Sequence, residues 1–217
     1  KKIWAEKTPG NIFCFNAFSD MLPNAKLVHI VRHPQDCIAY LTNRGMPHYQ
    51  ACVTYLLNTA HGLQYEGMKN LYVLKYEELV TEPEKSLNAL FKYLDVDFET
   101  QVLEPDQEVE GTDYMEGWRY RESDSIASGS KGRFKALPIT EQEKINSYIS
   151  VIRYTEGGTY NSIEAIADEL GYDLVESKTN DKLLKTIKYD RLKDMLQKTL
   201  KMANYNLFNY PFSIDEK

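Results

Sequence analysis

Leu27-Val28-His29-Ile30-Val31-Arg32-His33-Pro34-Gln35-Asp36 decides the reading of this chain. Four of its first five residues are Leu, Val or Ile, without alternation. That pattern predicts a strand buried on both faces of a parallel sheet. Arg32 stands where the apolar run gives out, at the carboxyl end where open α/β sheets bind ligands. Pro34 has no N–H to offer a ladder, and its fixed φ suits the first turn of a helix. Gln35 to Leu41 is therefore predicted to be helical. A fixed guanidinium beside the positive end of a helix dipole suits an anion, above all a phosphate.

Working outward, Ile12, Phe15, Phe18 and Leu22 have helical spacing and predict a helix over 10–22 that leads into the strand. Asn43-Arg44-Gly45-Met46-Pro47 is a break. Cys52, Tyr55, Leu56, Thr59 and Leu63 then share one face of a longer amphipathic helix. Leu71-Tyr72-Val73-Leu74-Lys75-Tyr76 is a second apolar run of strand length. Thr81-Glu82-Pro83-Glu84 reads as a capping box, opening a helix with Leu87, Leu90, Phe91 and Leu94 inward. Strand, helix, helix, strand, helix is the grammar of a parallel α/β sheet.

Residues 99–138 change character, acidic first and then rich in Gly, Ser, Asp and Arg. That is too long for an ordinary connection, which marks a functional or mobile segment. Thr140 and Glu143 suggest a second capping box, before Ile145, Tyr148, Ile149 and Ile152. Gly157-Gly158 reads as a hinge. Ile163, Ile166, Ala167 and Leu170 make a further helical face that ends at Gly171, and a last helical stretch is predicted over 182–203.

Composition sets limits on function. The chain has 217 residues, 42% hydrophobic and 27% charged, as expected of one globular core with or without an addition. No apolar run reaches the ~18 residues of a membrane span, and the start has no signal-peptide core. A cytoplasmic location is expected. The formal charge of −6 argues against nucleic acid or an anionic membrane as partner. It leaves room for a small anion, which feels local charge: Arg119, Arg121, Lys131, Arg133 and Lys135 are five cations against Glu122 and Asp124. Cys14, Cys37 and Cys52 are an odd count without C-x-x-C spacing, so no zinc site is expected. All three are predicted to be buried small residues.

Three segments carry a family resemblance. Glu6-Lys7-Thr8-Pro9 followed by Leu22-Pro23-Asn24-Ala25-Lys26, the strand, and Arg32-His33-Pro34-Gln35-Asp36 resembles the sulfotransferases that use 3′-phosphoadenosine 5′-phosphosulfate (PAPS). Lys75-Tyr76-Glu77-Glu78-Leu79 with Glu82-Pro83-Glu84 is similar to that family's Arg-Tyr-Glu-Asp-Leu and its acidic-Pro pair. Ser130-Lys131-Gly132-Arg133-Phe134 with Leu137 is similar to its late Gly-Arg-Trp loop. The segments occur in the family's order over residues 4–155.

The resemblance implies an α/β fold, a three-layer parallel sheet of the P-loop NTPase-like sulfotransferase type with a helical C-terminal appendage. Residues 1–155 would be the sulfotransferase domain and 156–217 the helical segment. The implied reaction moves a sulfuryl group from PAPS to a hydroxyl or amine of a small-molecule, glycan or peptide acceptor. The product would be 3′,5′-adenosine bisphosphate. Arg32, Ser130, Lys131, Gly132 and Arg133 would hold the 3′-phosphate, Tyr76 would lie against adenine, and Lys7 would contact the transferred group.

Two positions depart from the pattern. Tyr40 stands where the family has a serine that binds the 3′-phosphate. Pro9 stands where some members place a catalytic histidine, which leaves Glu6 as the nearest candidate base. The family's phosphosulfate loop lies upstream of the Lys-Thr-Pro segment, and none of the eleven glycines here falls in a G-x-x-x-x-G-K-[ST] arrangement. That loop is expected from an upstream segment or another chain.

Plainer readings stand beside these. Arg32 can pair with an acid such as Asp36, Tyr40 and Tyr76 can be core residues, Lys7 can be a solvated lysine, and 130–133 can be a surface loop. His29, inside the strand, is expected to be a core histidine. A sulfotransferase-like binding or scaffold subunit and a nucleotide kinase are the alternative functions.

Overall fold

The computed structural model describes residues 3–104, 131–155 and 158–176, residues 185 and 187, and the backbone of 212–214. Strand β1 (Leu27–Val31) pairs in parallel with β2 (Leu71–Lys75), in register from Leu27 opposite Leu71 to Val31 opposite Lys75. Between them run α2 (Pro34–Asn43) and α3 (His48–Leu63), and before them α1 (Phe15–Met21). After β2 come α4 (Tyr76–Thr81) and α5 (Pro83–Leu94), then α6 (Ile139–Val151), β3 (Ile152–Tyr154) and α7 (Ile163–Leu170). β3 pairs antiparallel with β4 (Phe212–Ile214). The result is an α/β fold with a small parallel sheet and many helices.

The predicted helical faces become the core. α3 buries Cys52, Tyr55, Leu56, Thr59 and Leu63, and Leu56 is fully enclosed. Ile38 of α2, Ile145 and Tyr148 of α6, and Ile163 and Ile166 of α7 join the same cluster. Each such side chain contributes about 1.5–3 kcal/mol by leaving water. α7 is well delimited: the Ser162 hydroxyl accepts from the Ala165 amide at 3.1 Å, and Gly171 ends the helix in the left-handed region.

Several expectations are corrected. β1 is buried on one face only: Leu27, His29 and Val31 are buried, whereas Ile30 on the opposite face is 57% exposed. The helix expected over 10–22 is a 3₁₀ turn, Pro9–Cys14, followed by α1. That turn points Ile12 and Phe15 inward and leaves Cys14 exposed, so only Cys52 is buried outright and Cys37 is half-buried. Neither capping box forms. Thr81 closes α4, and α5 opens at Pro83 with no side-chain cap. α6 opens behind Pro138 in the same way. Proline at the first helical position removes an orphan N–H, so α5 has one donor fewer to cap.

Ser130 and most of the connection at 99–138 lie outside the described residues, as does Gly157. So does the last helical stretch, apart from residues 185 and 187, which are helical.

Candidate active site

Parallel pairing builds the centre of the site. Val31 and Lys75 are register partners, so the next residue of each strand, Arg32 and Tyr76, emerges at the same carboxyl edge. The Arg32 guanidinium carbon lies 4.8 Å from the centroid of the Tyr76 ring. Such a contact contributes about 0.5–1 kcal/mol at an accessible site and restricts the guanidinium. The backbone under Arg32 is held from α3, where the Tyr55 hydroxyl donates to the Arg32 carbonyl at 3.0 Å.

The turn after Arg32 is stitched to α4. The His33 amide donates to Glu77 Oε1 at 2.9 Å, and the Tyr172 hydroxyl donates to Glu77 Oε2 at 2.7 Å. Burial, and then the bond to Glu77, push the Tyr172 phenol well above its ordinary range, so it stays a donor. Residues 172–175 run across this edge. His33 Nε2 is 3.1 Å from the Asp173 carbonyl. Gln35, 1% exposed, donates to the Val175 carbonyl at 2.9 Å and accepts from the Val175 amide at 3.0 Å. Gln35 also donates to Asn146 Oδ1 at 2.7 Å, joining α6 to the same network.

The late loop docks on the first turn of α2. Asp36 Oδ2 accepts from the Gly132 amide at 2.7 Å, and Oδ1 accepts from the Phe134 amide at 2.8 Å. Phe134 is inserted in the core at 1% exposure. Gly132 takes φ +77°, a conformation that disfavours side chains. Between the two bonded amides, Arg133 reaches back so that its guanidinium carbon lies 5.3 Å from the Tyr40 ring centroid. Arg44 approaches the same ring at 5.5 Å and donates through Nη1 to the Tyr40 hydroxyl at 2.9 Å. Lys131 Nζ lies 3.4 Å from Thr81 Oγ1, at the end of α4.

Of the site residues predicted from the sequence, Arg32 and Tyr76 therefore meet, and Arg133 meets Tyr40. Lys131 and Gly132 are carried on the same docked loop. Lys7 and Glu6 lie on the exposed segment that precedes the 3₁₀ turn. The Glu6 carboxylate accepts locally, from the Thr8 hydroxyl at 2.5 Å and from the Asn11 side chain. Sequence reasoning offered Asp36 only as an acid that can pair with Arg32 and assigned no role to Gln35, Glu77 or Tyr172. For Asp36 a further signal existed: an acid in the first turn of a helix, four residues after an arginine expected to meet an anion. The partners of Gln35 are 111 and 140 residues distant, and no local pattern announces them.

Among the described residues, no group of three or more His, Cys, Asp or Glu is placed to hold a metal ion. No helix among them is long and apolar enough to cross a membrane.

Residues 1–100 match the model of the sulfotransferase family. Among solved structures the chain is similar to the sulfotransferase domain from the Synechococcus PCC 7002 olefin synthase, at 22% identity and a TM-score of 0.52. That match covers 70% of this chain and 50% of the other. It is also similar to the sulfotransferase domain from the curacin biosynthetic pathway, at 19% identity and a TM-score of 0.51, over 77% of this chain and 60% of the other. The chain thus spans 50–60% of the length of these two domains. No curated protein matches. The family match covers residues 1–100, under half of the chain, and the fold is similar to that of sulfotransferase domains.

Proposed function

We propose that the protein is a sulfotransferase that takes its sulfuryl group from PAPS and delivers it to a hydroxyl or amine acceptor. The observation that carries the reading is Arg32 packed on Tyr76 at the shared carboxyl edge of β1 and β2. Sulfuryl transfer, like phosphoryl transfer, asks the protein chiefly to position its partners and to stabilise charge on the leaving phosphate.

In this reading Arg32, with Arg133 and Lys131 from the docked loop and Ser130, which precedes Lys131 in the sequence, grips the 3′-phosphate. Arginine presents a fork that pairs with phosphate oxygens bidentately. Holding the guanidinium on a ring lowers the entropy lost on engagement. Tyr76 offers its face to adenine. Lys7 stabilises the transferred group. Glu6 serves as base only after exchanging Thr8 and Asn11 for the acceptor. A three-layer sheet completed by an upstream segment or another chain, and a cytoplasmic small-molecule, glycan or peptide acceptor, belong to the same proposal.

One observation favours a second reading, a sulfotransferase-like binding subunit without turnover. Tyr40 replaces the family's phosphate-binding serine, and its hydroxyl already accepts from Arg44.

Calorimetric titration with 3′,5′-adenosine bisphosphate, set against ATP with Mg²⁺, tests the proposal. The bisphosphate is expected to bind more tightly, and Arg32→Ala is expected to weaken it about 10- to 100-fold with the fold intact. Equal binding of both nucleotides, or an Arg32→Ala variant that binds as well as the native protein, would overturn it. Turnover with labelled PAPS and a panel of acceptors separates the enzyme from the binding subunit.

A further inference from the structure

We propose that Asp36 is a positioning residue that sets Arg133 in the anion site by latching the backbone of the late loop, without touching the nucleotide. The role rests on the donor reading above. Its geometry stands apart from that reading. The Asp36 carboxylate is 6% exposed and gives one oxygen to each of two amides, Gly132 at 2.7 Å and Phe134 at 2.8 Å. The residue between those amides is Arg133. Two charge-assisted bonds on either side of one residue fix the direction in which its side chain leaves the backbone.

The rest of α2 receives that side chain. Tyr40 lies four residues after Asp36, hence on the same helical face, and its ring is 5.3 Å from the Arg133 guanidinium carbon. Latch and platform are thus one turn apart on a single helix, whose first turn follows Arg32. Phe134, 1% exposed, anchors the loop on its other side. Tyr40, at the place of the family's serine, carries a phosphate-binding group in this arrangement.

A carboxylate so near an anion site allows a discriminating test. Were Asp36 merely a nearby negative charge, removing that charge would strengthen phosphate binding. The latch predicts the opposite. Asp36→Asn keeps the shape but turns one acceptor into a donor facing an amide N–H. It is expected to weaken 3′,5′-adenosine bisphosphate about tenfold, the equivalent of one lost charge-assisted bond. It should leave adenosine 5′-monophosphate, which lacks the 3′-phosphate, unaffected. In an Arg133→Ala background it should cost nothing further.

Amide hydrogen exchange reads the latch without any nucleotide. The amides of Gly132 and Phe134 should exchange faster in Asp36→Asn while those of α3 keep their protection. Unchanged exchange at both amides overturns the proposal. So does bisphosphate binding that is unchanged or tighter, or an equal loss for the monophosphate, or an undiminished loss in the Arg133→Ala background. If Asp36→Asn fails to fold, Gly132→Ala strains the same loop at φ +77° with nothing within 4 Å to clash, and the same pattern is expected of it. If the native protein has no affinity for the bisphosphate, the donor reading falls, and exchange still decides the latch.

Discussion

The imidazole of His29 lies against the backbone of Gly62: a β-carbon on Gly62 would stand 2.1 Å from Cε1 and 2.4 Å from Nδ1 of that ring. β1 and α3 approach so closely because this position of the helix has no side chain. Gly62→Ala sets two effects against each other. Helix propensity favours alanine by about 1 kcal/mol, whereas forcing a methyl group into a filled core costs about 1–3 kcal/mol. His29 is on the buried face of β1, 8% exposed, so the clash is expected to win. A lower urea midpoint is the expected result; an unchanged or higher one would mean that the ring has room to turn.

The same ring makes stability depend on pH. Burial lowers the His29 pKa from 6.5 to about 4. The unfolded chain, with an ordinary histidine, takes up its proton first as pH falls. The contribution of His29 is therefore complete above about pH 6.5 and is lost progressively between there and about pH 4. The loss amounts to about 3 kcal/mol. Urea unfolding across that window should show stability falling with pH in the native protein and falling less steeply in His29→Gln. Parallel slopes in the two proteins would contradict the assignment.

Gln35→Ala is expected to cost about 2–4 kcal/mol, because it takes the partner from the Val175 amide and from Asn146 Oδ1 and opens a cavity, while the Val175 carbonyl keeps the Asn146 side-chain amide as donor. Limited proteolysis supplies the second readout: cleavage within 172–176 should become rapid while the rest of the chain stays resistant. Resistance equal to that of the native protein would show that the segment is held by other contacts.

Tyr76 is expected to act through its ring. Tyr76→Ala should weaken 3′,5′-adenosine bisphosphate by about 1–3 kcal/mol, the range for an aromatic–base stack, and Tyr76→Phe should retain most of the affinity. Calorimetry on the two variants separates stacking from hydroxyl chemistry, since a phenylalanine variant as weak as the alanine one would point to the hydroxyl.

What could be read from residue order is what depends on neighbours in sequence. An apolar run, then Arg32, then Pro34 spells strand end and helix start, because both follow from backbone rules acting over a few residues. The same rules gave β2 and the faces of α3 and α7. Arg32 and Tyr76 were found as separate motifs, and their contact follows from pairing register alone. The Asp36 latch was not legible, since its partners are 96 and 98 residues away and backbone amides leave no mark on composition. Exposure misled as well. A run of Leu, Val and Ile does not reveal that Ile30 looks outward, and apolar neighbours did not reveal that a 3₁₀ turn rotates Cys14 to the surface.

The ties of Tyr172 to Glu77 and of Val175 to Gln35 bear on how this protein can be trimmed. A recombinant fragment stopping at Thr155 would keep every residue that resembles a sulfur-transferring enzyme. It would also strip the covering from the start of α2 and remove α7 from the hydrophobic interior. Such a fragment should express as loose, sticky material, whereas one that also keeps Ile187 of the core and β4 beside β3 should keep its shape.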